Sequence, residues 1–208
     1  MTVATQKEFQ HPSVIRLTHW INFLALGLMV FSGLRIYNAS PLFSFAFPEY
    51  LTMGGWLAGA RQIHFFAMWV FVLNGSFYFL YNILSRHGRK TTLFRGSDVR
   101  GIFPMILYYL RVRKQHPPQE KYNPLQKLAY TLIPFVALGA ILSGIAIYWP
   151  VQWGFFTKLL GGYDYARGWH FFFMAALVLF FFGHILMVII AGWSNFFSMI
   201  TGWKKNPR

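Results

Sequence analysis

The chain has 208 residues: 56% are hydrophobic, 21% aromatic and 12% charged, 19 Lys and Arg stand against 5 Asp and Glu for a formal charge of +14, and cysteine is absent. Soluble proteins carry about 25% charged residues, so half that share with a mean hydropathy of +0.41 excludes an ordinary soluble globule and a disordered chain. The lack of cysteine excludes disulfides, iron–sulfur clusters, thiolate zinc sites and cysteine nucleophiles.

A membrane-spanning helix needs about 20 mostly apolar residues. Residues 17–37 form the first such run, with no charge until Arg35. The residues before it are polar, and no small-residue cleavage pattern follows, so it reads as a retained span rather than a secretory signal. Residues 63–84 form an uncharged second span, 128–149 a third and 169–193 a fourth. A chain this short cannot wrap four such helices in protein. The expected fold is all-α: one membrane domain over residues 1–208, a bundle of four transmembrane helices. Between spans two and three, residues 98–114 are apolar in the middle and basic at the ends. They predict an amphipathic helix lying at the cytoplasmic interface with its apolar face in lipid. The loops over residues 38–61 and 150–167 are aromatic and glycine-rich, fit for a headgroup belt or a partner's docking surface.

Of the 19 basic residues, 15 fall in the N-terminal segment, the middle loop and the C-terminal segment; only Arg35, Arg61, Lys158 and Arg167 fall on the other side. The positive-inside rule then places both termini and the middle loop in the cytoplasm of a bacterial inner membrane. The positive charge is topological, and nucleic acid is not an expected partner.

Ionisable side chains inside spans mark function. Four of the seven histidines lie there: His19 near the cytoplasmic end of span one, His64 at the outer start of span two, His170 at the outer start of span four, and His184 deeper on span four. His170 and His184 are 14 residues apart, which is about 21 Å along a helix and about 1400° around it, about 40° short of four turns. Both imidazoles leave nearly one face at two depths. His64 matches the depth of His170, and His19 that of His184. Two stacked bis-histidine levels are what two b-type haems in a four-helix bundle require. No C-x-x-C-H occurs, so attachment is noncovalent. Zinc or di-iron would need ligands converging on one point, and di-iron would need carboxylates, which the spans lack. Arg16, Arg35, Arg61 and Arg167 stand near the two levels and suit haem propionates, or snorkel to the interface.

R-L-T-H-W-I-N and F-S-G-L-R-I-Y-N in span one, the histidine opening span two, and H-F-F-F-M-x9-H in span four resemble the bacterial di-haem cytochrome b family. That family holds the membrane subunits of respiratory formate dehydrogenase and nickel–iron hydrogenase. The likeness runs from about residue 11 to 202 and is nearest the thiosulfate reductase branch, through G-G-Y-D-Y-A-R and Y-N-P-L-Q-K. It implies that His64 with His170 hold an outer haem, and His19 with His184 an inner one. It further implies a quinone site, for menaquinone or ubiquinone, at Asn123, Gln126 and Lys127, although Asn123 also suits a helix cap. Asn22 would join these polar groups in proton exchange at the cytoplasmic surface. The implied function is an electron-transfer subunit between a periplasmic, molybdopterin-dependent oxidoreductase and the quinone pool, with the substrate chemistry in the partner. A stand-alone quinone-linked haem enzyme of superoxide or ascorbate type, and a haem-free anchor or transporter, are the competing readings.

Overall fold

The computed structural model describes residues 6–85, 94–117 and 123–206. Arg86, His87, Arg89, Lys90, Lys121 and Arg208 lie outside them. The elements in order are β1 (Gln6–Phe9), α1 (Ser13–Ala39), α2 (Leu57–Leu84), α3 (Val99–Tyr109), α4 (Pro124–Tyr148), α5 (Gly154–Leu159), α6 (Tyr163–Ala191), α7 (Trp193–Thr201) and β2 (Trp203–Asn206). Among the described residues, α1, α2, α4 and α6 are long and apolar enough to cross a membrane. The protein is an all-α, multi-pass membrane protein, as its composition requires. Each spanning helix starts several residues before the hydrophobic run does. Polar first turns at Ser13 and Tyr163 add helix without adding hydropathy, so the runs mark the apolar middle and miss the ends.

The chain divides into two compact units, residues 1–79 with 181–208, and residues 80–180. In the first, β1 and β2 pair antiparallel, Phe9 opposite Trp203, with the two rings edge to face at 5.2 Å. Gly192 separates α6 from α7 at φ +86°, a conformation that side chains disfavour. Trp20 Nε1 donates to the Met199 carbonyl at 3.2 Å, tying α7 to α1. Neither the ribbon nor α7 is evident in the sequence, since both are too short to carry a periodic signal. The loop after α1 folds back on it: the Asn38 amide exchanges two 2.8 Å hydrogen bonds with the Phe47 backbone, and Met53 N donates to the Phe31 carbonyl.

In the second unit, α4 opens on a reciprocal cap. The Asn123 side chain accepts from the Gln126 N–H, and the Gln126 side chain accepts from the Asn123 N–H. Pro124 follows at N1, where its missing N–H costs nothing. α3 is the amphipathic helix expected between spans two and three, though shorter. Val99, Phe103, Ile106 and Leu110 form its exposed apolar stripe, and Met105 is fully buried on the opposite face. A Cβ at Gly101 would sit 2.6 Å from the Pro124 ring, so glycine there lets α3 lie close to α4. The Lys127–Asp98 ion pair, 3.0 Å long and nearly buried at both ends, locks the contact. α5 is tied to the end of α4 by the Thr157 hydroxyl, which donates to the Ala146 carbonyl at 3.2 Å.

Candidate functional site: the histidines of the spans

His64 is the eighth residue of α2, and His170 the eighth of α6. Each ring meets the same three groups on the spanning helix before its own, α1 for His64 and α4 for His170. His64 Nδ1 lies 3.0 Å from the Met29 carbonyl oxygen and 3.2 Å from Ser32 Oγ. His170 Nδ1 lies 2.9 Å from the Ala140 carbonyl oxygen and 3.2 Å from Ser143 Oγ. A glycine follows each serine. A Cβ on Gly33 would be 3.4 Å from His64 Cε1, and one on Gly144 would be 3.2 Å from His170 Cε1.

A carbonyl oxygen only accepts, so Nδ1 carries the proton in both rings. The lone pair then sits on Nε2, the nitrogen available to a metal. Metal-binding histidines characteristically donate their second N–H to a carbonyl or carboxylate, which fixes ring and tautomer. The serine hydroxyls also have their direction set. Ser32 donates to the Leu28 carbonyl at 2.5 Å, and Ser143 to the Gly139 carbonyl at 2.7 Å. Their oxygens therefore face the imidazoles as acceptors.

His19 and His184 are arranged differently. Their ring centres are 6.0 Å apart, with planes at 59°. Two imidazoles bonded to opposite sides of one metal ion at about 2 Å each have ring centres about 6 Å apart. Both planes then contain the bond axis and rotate freely about it, so a 59° angle is compatible. Trp20 packs edge to face on His19 at 5.4 Å. One residue before His19, the Thr18 carbonyl accepts from Asn74 Nδ2, which also reaches Asn22 Oδ1, both at 2.8 Å. Asn74, a polar residue in the interior of span two, was not singled out from the sequence. Its place in an uncharged span was the available signal.

The remaining candidates separate by environment. Arg16 donates to the Ile200 carbonyl, while its Nε is buried with no partner among the described residues. It lines a cleft of about 460 Å³ with Ser13, Leu17, Trp20 and Met199, one turn from His19. An orphaned guanidinium N–H beside a metal-spaced histidine pair suits a carboxylate such as a haem propionate. Arg35 pairs with the exposed Glu49 at 3.1 Å, Arg167 with Asp164 at 3.5 Å, and Arg61 lies 5.8 Å over the Phe65 ring. Asn123, Gln126 and Lys127 are together at the start of α4, each engaged in the cap or the ion pair, and Asn123 Nδ2 donates to the Tyr109 hydroxyl at 2.9 Å. Burial raises the Tyr109 pKa. Hydrogen bonds from the Arg95 backbone and from Lys127 lower that of Asp98. Asn22 belongs to the other unit, bonded to Asn74. Among the described residues no three His, Cys, Asp or Glu side chains cluster.

The pairing of each serine with a histidine, like Asn74, was missed, although the sequence carries a signal for it. F-S-G-L-R-I-Y over residues 31–37 returns as L-S-G-I-A-I-Y over 142–148, and G-G-x4-A-R-x-x-H-F-F-x-M from residue 54 returns with one residue fewer from residue 161. Both glycine pairs have positive φ, and Ala60 and Ala166 are both fully buried. The chain repeats a two-helix unit, and the serine, glycine and histidine occupy equal positions in both copies.

Apolar spanning helices that present imidazoles with a fixed tautomer are what a membrane-bound haem protein of the b type requires. The chain belongs to the prokaryotic cytochrome b561 family, whose model matches residues 10–202. That membership makes it a membrane cytochrome of electron transport with haem b as its cofactor. It is 41% identical over 180 residues, 86% of this chain and 90% of the relative, to a protein of Azospira oryzae described as a putative protein-methionine-sulfoxide reductase subunit YedZ1. No solved structure matches the chain.

Proposed function

We propose that this cytochrome is a di-haem electron-transfer subunit of the bacterial inner membrane, linking the quinone pool to a redox enzyme on the periplasmic side. His19 and His184 are assigned to the inner haem, His64 and His170 to the outer one. The 6.0 Å separation of the His19 and His184 rings carries the reading, and the matched surroundings of His64 and His170 support it. Haem b, when bound, supplies a one-electron centre at each level.

The residues of the chain do the rest. Each histidine offers Nε2 as a ligand; at the outer level the Met29 and Ala140 carbonyls hold the tautomer. Arg16 supplies the donor for an inner propionate, and Arg35, Arg61 and Arg167 supply positive charge for outer ones. Quinone conversion needs two electrons and two protons. Asn123 with Tyr109, flanked by Gln126 and Lys127, forms a polar group at the start of α4, on the side assigned to the cytoplasm, where protons exchange with water. Asn22, held by Asn74, is the corresponding group near His19. The basic bias puts both termini on that side. The partner is a molybdopterin-dependent oxidoreductase, and the name of the Azospira relative points to reduction of methionine sulfoxide in proteins as its chemistry.

Haem quantitation on the purified chain tests this directly. Two haems b per chain, both reduced by a quinol, are expected. One haem, or two that quinols leave oxidised, overturns the di-haem quinone reading.

A further inference from the structure

The repeated serine does more than fill the space between helices. We propose that Ser32 and Ser143 are positioning residues that tune the haem assigned to His64 and His170, each acting through one axial ligand. This rests on that ligand assignment.

Three observations carry it. First, each Oγ is 3.2 Å from the imidazole Nδ1, beside the carbonyl that is that nitrogen's main acceptor. Second, each hydroxyl proton is committed four residues back along its own helix, at 2.5 Å to Leu28 and 2.7 Å to Gly139. The oxygen therefore turns a lone pair to the ring and shares the Nδ1 proton. Third, both serines are fully buried, so no water stands in for the oxygen once it is removed. The same serine, followed by the same glycine, appears at both ligands in a repeat that elsewhere replaces Arg35 with Ala146 and Ala67 with Phe173.

A second acceptor on Nδ1–H pulls the proton from the ring and makes Nε2 a stronger donor. A stronger donor stabilises ferric over ferrous iron and lowers the potential. The serine thus lowers the potential of one haem without touching it. His19 has a different neighbour in Trp20, which stands edge-on to it, and its ring centre is 6.0 Å from that of His184.

The test uses the full chain in detergent, carrying Ser32→Ala, Ser143→Ala, both together, and Ser198→Ala as control. Ser198 is also buried and its hydroxyl bonds back along its own helix, to the Asn195 carbonyl, with no histidine as its partner among the described residues. Redox titration of the haem band and electron paramagnetic resonance of the ferric state are the readouts. Each single variant is expected to raise the potential of one component, the one that His64→Ala removes, and to move its g-values; the double variant raises it further, and the control moves nothing. Unchanged potential and g-values in the double variant, with His64→Ala still removing a haem, overturn the role of the serines alone. Retention of both haems in His64→Ala and His170→Ala overturns the ligand assignment and the serine role together. Should Ser143→Ala fail to load haem, Ser143→Thr, which keeps the hydroxyl, is expected to restore it; failure of the threonine to do so also overturns the proposal.

Discussion

The two histidine pairs proposed as haem ligands are built on opposite plans. His64 and His170 are the same residue of a repeated motif, each gripped through Nδ1 by a carbonyl and a serine on the preceding spanning helix. His19 and His184 are not equivalent by repeat. Where the first copy has His19, the second has Tyr130; where the second has His184, the first has Tyr78. One pair comes from using a single device twice, the other from placing one unique histidine in each copy. A device used twice gives two imidazoles with the same tautomer. Unique positions leave each ligand to be held by its own neighbours, here by Trp20 and by the Asn74 bond to the backbone beside His19.

The sharpest way to break this comparison is to remove ligands. His19→Ala and His184→Ala should each abolish the same half of the reduced b-type absorbance, and His64→Ala and His170→Ala the other half. A reduced-minus-oxidised spectrum at low temperature separates the components, and loss of both haems from each single variant would end the idea of two independent levels.

The glycines give the next largest effect. Gly144→Ala puts a methyl 3.2 Å from the His170 ring and Gly33→Ala one 3.4 Å from His64. The first contact forces a shift and the second is nearly ordinary. Gly144→Ala should therefore lower haem retention by about 10-fold, the low end for disturbing a ligand's support, and Gly33→Ala by clearly less. Equal losses would mean that the difference in clearance at the two glycines has no consequence for the haem.

Smaller still is the tie at the inner level. Asn74→Leu removes two hydrogen bonds to α1. Interhelical bonds in membranes average about 0.6 kcal/mol each, so a stability loss of about 1 kcal/mol is expected in a thermal melt followed at the haem band. The loss should fall on the component that His19→Ala removes.

The smallest effect lies away from both levels, at Asp98. Its pKa is lowered in the folded chain, so its contribution is present above the unfolded value of about 3.9. It is lost as pH falls through the folded value. Acid titration of stability should show this step in the natural chain and a flatter profile in Asp98→Asn.

Spans, the amphipathic α3 and the family were legible because each rests on a pattern that burial in lipid imposes on composition. The unequal charge of the loops and the spacing of His170 and His184 are of that kind. What was not legible depends on short-range geometry. Nothing in the hydropathy of F-S-G-L separates a serine that serves a histidine from one that only bonds its own helix. Only the return of the same letters in L-S-G-I exposes it. Asn123 shows the reverse: its letters suit both a cap and a quinone site, and the structure displays the cap.

The β1–β2 ribbon sets an order of events. Gln6–Phe9 leaves the ribosome before the four spans and its partner, Trp203–Asn206, after them. Chains fold as they are made, beginning from the N-terminus. β1 must therefore wait through the insertion of all four spans, and the pairing of Phe9 with Trp203 fastens the first span only when the last is in the membrane.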